Sequence, residues 1–188
     1  NVAAVWDLPV IFIIENNGYG LSTPTNEQYK CESLVERARG YGIDGIRIDG
    51  NNILSVLDTI KGVRDFCIEY QKPYLIECTT FRMRGHEEAS GTKYVPKHLF
   101  DIWEKKDPIK NFETYLLSEA VLTETGIEAI RTELKQKIES ELQLANAAKP
   151  MVVDTEEELE DVFAESLAVS RESSVRVIDN SGLSFDLR

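Results

Sequence analysis

Two stretches of this 188-residue chain combine residue types that can do chemistry. The first is Glu15-Asn16-Asn17-Gly18-Tyr19-Gly20, at the end of an apolar run. Asn17 offers an amide oxygen, and Gly18 and Gly20 let backbone approach a ligand closely. A hard cation such as Mg2+ takes oxygen donors of this kind in octahedral geometry, with phosphate oxygens filling other positions. The second stretch is Arg82-Met83-Arg84-Gly85-His86. Its guanidinium groups suit phosphate oxygens or the ordering of a loop. His86 is one of two histidines, and an imidazole titrating near neutrality suits proton transfer. An arbitrary Asn-Asn-Gly is only a turn, and an isolated loop histidine is only solvated.

The elements around them are the ones that would place them. Ile11 to Ile14, bounded by Pro9 and the polar residues after it, reads as a short strand buried on both faces. Glu15 to Gly18 then end it at the carboxyl edge of a sheet, where open α/β folds bind ligands. Leu21 to Lys30 reads as a loop, and Glu32 to Arg39 as a short helix closed by Gly40 and Gly42. Gly45 to Asp49 reads as a second strand, followed by a helix capped by Asn52 and running to about Tyr70. Ile53, Val56, Leu57, Ile60, Val63, Phe66 and Cys67 form its apolar face, so Cys67 reads as a buried structural thiol. After Lys72-Pro73 comes a third strand, Tyr74 to Thr79. Strands alternating with helices predict βαβ units, and hence an α/β fold with a parallel sheet flanked by helices. Phe81 to Pro96 then leaves the third strand's carboxyl end as a long functional loop.

Further on, Lys97 to Lys106 reads as a helix that His98 starts, and Asp107-Pro108 opens another. Thr125-Gly-Ile-Glu128 has capping-box form and opens a long helix. Its stripe, Ile127, Ile130, Leu134, Ile138 and Leu142, suits a core face or a subunit face equally. An acidic helix is expected from Glu156 to Leu167, then a linker. From Met151 on, ten Asp plus Glu stand against three Lys plus Arg, so residues 1–150 and 151–188 read as a body and a tail.

The net charge of -12 argues against nucleic acid and anionic membranes as partners. Cys31, Cys67 and Cys78 have neither CxxC nor metal-finger spacing, which predicts a reducing, cytoplasmic setting. The longest apolar run, Leu8 to Ile14, is too short to span a bilayer. Trp6 reads as a core or interface anchor rather than a ligand.

Taken together, ENNGYG after a hydrophobic strand resembles the closing half of the thiamin diphosphate motif, which opens with GDG and ends in NN. LSTPTNEQY and GYGIDGIRIDGNN are similar to the alpha component of the 2-oxo acid dehydrogenases, the branched-chain type above the pyruvate type. The resemblance runs from Asn1 to about Ala148. It implies the diphosphate-binding domain of the thiamin diphosphate fold, with thiamin diphosphate and Mg2+ as cofactors. It implies that Asn17 ligates Mg2+ through its side-chain oxygen and Tyr19 through its backbone carbonyl. Gly18, Leu21, Arg82 and His86 would line the cofactor, with Ser22 and Thr23 as further wall residues. His86 would be the catalytic residue, positioning the cofactor and assisting acyl transfer. The implied reaction decarboxylates a 2-oxo acid and passes the acyl group to a lipoyl arm.

The implied partners are a beta component, separate or fused in one chain, and a lipoyl-bearing dihydrolipoyl acyltransferase, in a dimer or heterotetramer. An acetoin dehydrogenase, a transketolase-like enzyme and a non-catalytic assembly piece are the alternatives. Two features depart from the pattern. The GDG half does not occur, so a C-terminal fragment is expected, one that holds only part of the metal's coordination shell and is inactive alone. Mammalian members carry a regulatory serine directly after the loop histidine, where this chain has Glu87.

Overall fold

The computed structural model of the chain describes residues 1–87 and 89–162. Its centre is a three-stranded parallel sheet made of β1 (Ile11–Asn16), β4 (Asp44–Asp49) and β5 (Tyr74–Thr79). The spatial order is β1-β5-β4, so the last of these three strands in sequence lies in the middle. Asn16 and Asp49 both sit opposite Thr79, and the three carboxyl ends finish level. The turns that leave this edge are therefore neighbours in space.

The central strand is the buried one. Leu75, Ile76, Glu77 and Cys78 are all buried, and Ile76 and Glu77 are wholly inaccessible. Helix α4 (Ile53–Tyr70) covers one face, with Val63 and Cys67 packed on Ile76 and Cys78. Ile11, Ile48, Ile60, Phe66 and Tyr74 surround that cluster. The helix starts where Asn52 accepts the Ser55 amide hydrogen at 3.2 Å. It ends at Gln71, which takes the left-handed conformation. Ile53 and Leu57, expected on its apolar face, are exposed.

β1 differs from its expected burial. Phe12 is 43% and Ile13 53% exposed. An apolar run predicts a strand but not its neighbours, and β1 pairs with β5 alone among the described residues. Glu15 and Asn16 belong to β1 rather than ending it. Trp6, after helix α1 (Val2–Val5), is 69% exposed and so is not a core anchor within this chain.

The expected loop after Gly20 is instead a small hairpin. β2 (Tyr19–Gly20) pairs antiparallel with β3 (Thr23–Pro24), and helix α2 (Thr25–Gln28) follows. Then comes a 3-10 turn, Leu34–Glu36, opened by a capping box between Ser33 and Glu36. It runs into α3 (Arg37–Tyr41), which contains Gly40 and ends at Gly42 with φ of 72°. Only Gly42 is therefore a terminating glycine.

No helix or strand is assigned between Thr80 and Pro96 among the described residues. Then come α5 (Lys97–Glu104) and α6 (Pro108–Ser118), the latter capped by Asp107 with Pro108 in its first turn. Helix α7 (Glu124–Ala147) is capped by Thr123, whose hydroxyl accepts from Gly126 N at 3.2 Å, and not by Thr125. Thr125 lies inside the first turn, its hydroxyl 3.0 Å from that of Thr123. Arg131 clamps both oxygens of Glu113 at 2.8 Å, joining α7 to α6.

By contacts the chain divides into two compact units, Asn1–Lys135 and Gln136–Arg188. In the first, Ile127 of α7 is buried, while Ile130 and Leu134 are exposed. In the second, Ile138 and Leu142 are exposed, and α8 covers Thr155–Glu160. The acidic helix expected to reach Leu167 is thus described only in its first part; residues 163–188 lie outside the described residues, as does the expected linker.

Candidate functional site

The Asn-Asn-Gly sequence turns out of β1 through two nested side-chain bonds. Asn16 Oδ1 accepts from Gly18 N at 3.1 Å, and Asn17 Oδ1 accepts from Tyr19 N at 3.0 Å. Each closes a local turn that asparagine favours. Gly18 sits at φ of 82°, where a side chain would be strained. Its carbonyl then accepts from Thr25 N at 3.0 Å, which fastens the hairpin β2–β3 to the start of α2.

Asn16 is held from behind by Glu77, on the neighbouring strand. Asn16 Nδ2 donates to Glu77 Oε1 at 2.7 Å, and lies 3.3 Å from the Tyr29 hydroxyl. Glu77 Oε2 accepts from Val35 N at 2.9 Å and from the Ser33 hydroxyl. Arg47 Nε lies 4.0 Å from Oε1 and 3.1 Å from the Thr79 hydroxyl. Burial by itself pushes the Glu77 carboxyl up; the bonds from Ser33, Asn16 and Val35 and the Arg47 charge outweigh it and hold the carboxyl below the usual carboxylate range. Glu77 is therefore a buried anion with a hydrogen bond to each of its oxygens. Sequence reading missed it, because it lies in a strand that otherwise reads as apolar core.

In front of the corner is a cleft of about 630 Å3. Asn17, Gly18 and Tyr19 line it, with Arg47, Thr79 and Thr80 from the neighbouring strand ends. The predicted corner thus opens onto a crevice at the sheet's carboxyl edge. Leu21, Arg82 and His86 do not line it. They form a second group beside the hairpin. Arg82 Nη2 donates to the Leu21 carbonyl at 2.6 Å and lies 3.1 Å from the Tyr94 hydroxyl. Its Nη1 lies 3.4 Å from His86 Nδ1. The Tyr94 ring meets Tyr19 edge-on at 5.9 Å, so Tyr94 joins the two groups. Ser90 hydrogen-bonds Glu87 through both backbone groups, at 2.9 and 3.1 Å, and closes the loop's turn beyond His86.

The corner suits a cation that already carries phosphate. Asn17 Oδ1 has used one lone pair and keeps another. Tyr19 is paired with Pro24, which has no N–H to give its carbonyl. Both oxygens are neutral. Among the described residues no cluster of His, Cys, Asp or Glu could hold a metal ion by itself. A hard cation here would need further oxygens from phosphate, water or other protein.

Sequence comparison points to one family. The model of the family described as "Dehydrogenase E1 component" matches residues 1–153. The 2-oxoisovalerate dehydrogenase subunit alpha 2 of Arabidopsis thaliana is 33% identical over 185 residues, which are 96% of this chain and 39% of that protein. The corresponding human alpha subunit is 37% identical over 141 residues, 73% of this chain and 32% of that one. The alpha subunit of an acetoin:2,6-dichlorophenolindophenol oxidoreductase from Bacillus subtilis is 41% identical over 120 residues, 63% of this chain and 36% of that one. The chain thus spans between about a third and two fifths of the length of these relatives. With four-fifths of its residues under one family model, and with alpha subunits as its relatives, the chain belongs to the dehydrogenase E1 component family, on the alpha side.

Proposed function

We propose that this chain is the diphosphate-gripping part of the alpha component of a 2-oxo acid dehydrogenase acting on a branched-chain 2-oxo acid. The E1 family is thiamin diphosphate-dependent. The observation that carries the reading is the corner itself, whose residues Asn17, Gly18 and Tyr19 line a cleft at the sheet's carboxyl edge. Asn17 Oδ1 and the Tyr19 carbonyl would hold Mg2+, and Gly18 would let the diphosphate approach the backbone.

When bound, the cofactor supplies the electron sink for decarboxylation. The chain's own residues hold and orient. Asn17 and Tyr19 fix the metal's position against the sheet. Arg82 pins the His86 loop to the Leu21 carbonyl. His86 keeps its Nδ1 towards Arg82, so Nε2 is the ring nitrogen that would give or take a proton. In this reading a beta component supplies the other wall of the site, and a lipoyl-bearing acyltransferase takes the acyl group. The assembly is a dimer or heterotetramer in the cytoplasm. The family match ends at residue 153, which supports a separate acidic tail beyond the body.

The bacterial relative supports a second reading, in which acetoin replaces the 2-oxo acid. The test uses the complete polypeptide that carries this chain, together with its beta component. Calorimetric titration should show thiamin diphosphate binding only when Mg2+ is present, and Asn17→Ala should weaken it at least tenfold, about one lost metal ligand's worth. No binding to the wild-type assembly would end the reading. Turnover of acetoin in preference to branched-chain 2-oxo acids would move it to the second.

A further inference from the structure

Asn16 is given no ligand role in the reading above, yet its amide is bonded at both ends. Its oxygen is committed to Gly18 N and its nitrogen to Glu77. An amide can be turned over with little change in shape, so something must dictate which end is which. Glu77 does so. A carboxylate accepts and never donates, so only the amide nitrogen can face it. The oxygen is thereby left to face Gly18 N.

The other Glu77 oxygen is tied to Ser33 and Val35, at the start of the 3-10 turn, so the carboxylate itself cannot swing. We propose that Glu77 is a positioning residue for the cation corner: its buried carboxylate sets the sense of the Asn16 amide, and through Gly18 N that amide sets the Asn17–Tyr19 turn. Its link to a cofactor rests on the function proposed above; its grip on the turn does not.

The logic fixes an experiment with a rescue built in. In Glu77→Gln the new side chain keeps its oxygen for Ser33 and Val35. Its NH2 then faces the NH2 of Asn16, donor against donor. Turning Asn16 over would point its NH2 at Gly18 N–H instead. Either way one bond is lost. Adding Asn16→Asp restores the pattern, since one carboxylate oxygen accepts from the new amide at position 77 and the other from Gly18 N. The pair exchanges the charge between the two positions and leaves the net charge unchanged.

Hydrogen exchange of the segment 16–20 in the complete polypeptide reads the effect without any ligand. Gly18 N should be protected in the wild type. It should exchange about tenfold faster in Glu77→Gln, the scale of one buried hydrogen bond, and return to within about twofold of wild type in Asn16→Asp/Glu77→Gln. A second arm titrates Mg2+ with thiamin diphosphate present, where affinity should fall about tenfold in the single variant and recover in the double. An unprotected Gly18 N in the wild type overturns the proposal. So does a double variant as unprotected, or as poorly folded, as the single one. If the exchange pattern is as expected but the wild type binds no cofactor, the proposed function fails and the grip on the turn stands. If the wild type binds and Glu77→Gln binds equally well, the corner does not depend on Glu77 and the positioning role fails.

Discussion

At the scale of single residues, Glu77 carries a pH signature. Its carboxyl lies below the usual range in the folded chain and returns to it on unfolding. Its stabilisation is therefore full above the ordinary carboxylate pKa and is lost as the pH falls through the lowered folded value. Denaturant midpoints measured down the acidic limb should show this slope, and Glu77→Gln should flatten it while costing about 1–3 kcal/mol at neutral pH. The cysteines divide in a similar way. Burial pushes the thiols of Cys67 and Cys78 up, and Glu15 adds to the effect at Cys78. Cys31 is only half-buried and lines the cleft. Iodoacetamide at neutral pH should label Cys31 first, with mass spectrometry of the peptides as the readout. The turn at Asn17 was legible in the sequence because polar residues and glycine interrupt an apolar run there. Glu77 was not, because its partners Asn16, Ser33, Val35 and Arg47 are brought to it only by the fold.

At the scale of elements, two substitutions of opposite sign test the backbone. A Cβ on Gly50 would sit 2.6 Å from Thr80 Cγ2 and 2.9 Å from Cys78 Cβ. Gly50→Ala should therefore destabilise by about 1–3 kcal/mol in thermal or urea unfolding, through overpacking where β4 leaves the sheet. Ala120, after α6, has φ of 54°. Ala120→Gly should stabilise by about 0.5–1 kcal/mol in the same assay, because glycine adopts that conformation without a Cβ penalty. Helix α4, the strand Tyr74–Thr79 and the Asp107-Pro108 start were readable, since each has a cap, a breaker or sustained periodicity of its own. The hairpin β2–β3 was not. Each strand has only two residues, too few for alternation to show, and Pro24 argues against a strand on local grounds. The cap of α7 slipped by two residues because two threonines compete, and only the geometry at Gly126 N decides.

At the scale of the molecule, a parallel sheet flanked by helices followed from alternating strand and helix patterns, but the order β1-β5-β4 did not. Periodicity says which residues extend, not which edges meet. It also overstated burial at Phe12 and Ile13, which lie open beside the exposed Val2, Val5 and Trp6 in sequence. Apolar surface of this kind should bind the dye ANS in the isolated chain, and Phe12→Lys with Ile13→Lys should reduce the fluorescence without changing the circular dichroism. Among the described residues no helix is long and apolar enough to cross a membrane.

The middle place of β5 has a consequence for how the chain comes off the ribosome. Among the described residues, neither β1 nor β4 has a parallel partner strand until Tyr74–Thr79 has been made. A nascent chain halted at Pro73 holds helices and the small β2–β3 hairpin, but no ladder of the described parallel sheet. Once Thr79 clears the exit tunnel, both outer strands can zip onto it together. Force on the nascent chain should therefore rise in a single late event rather than strand by strand, with the aggregation-prone interval ending at that point.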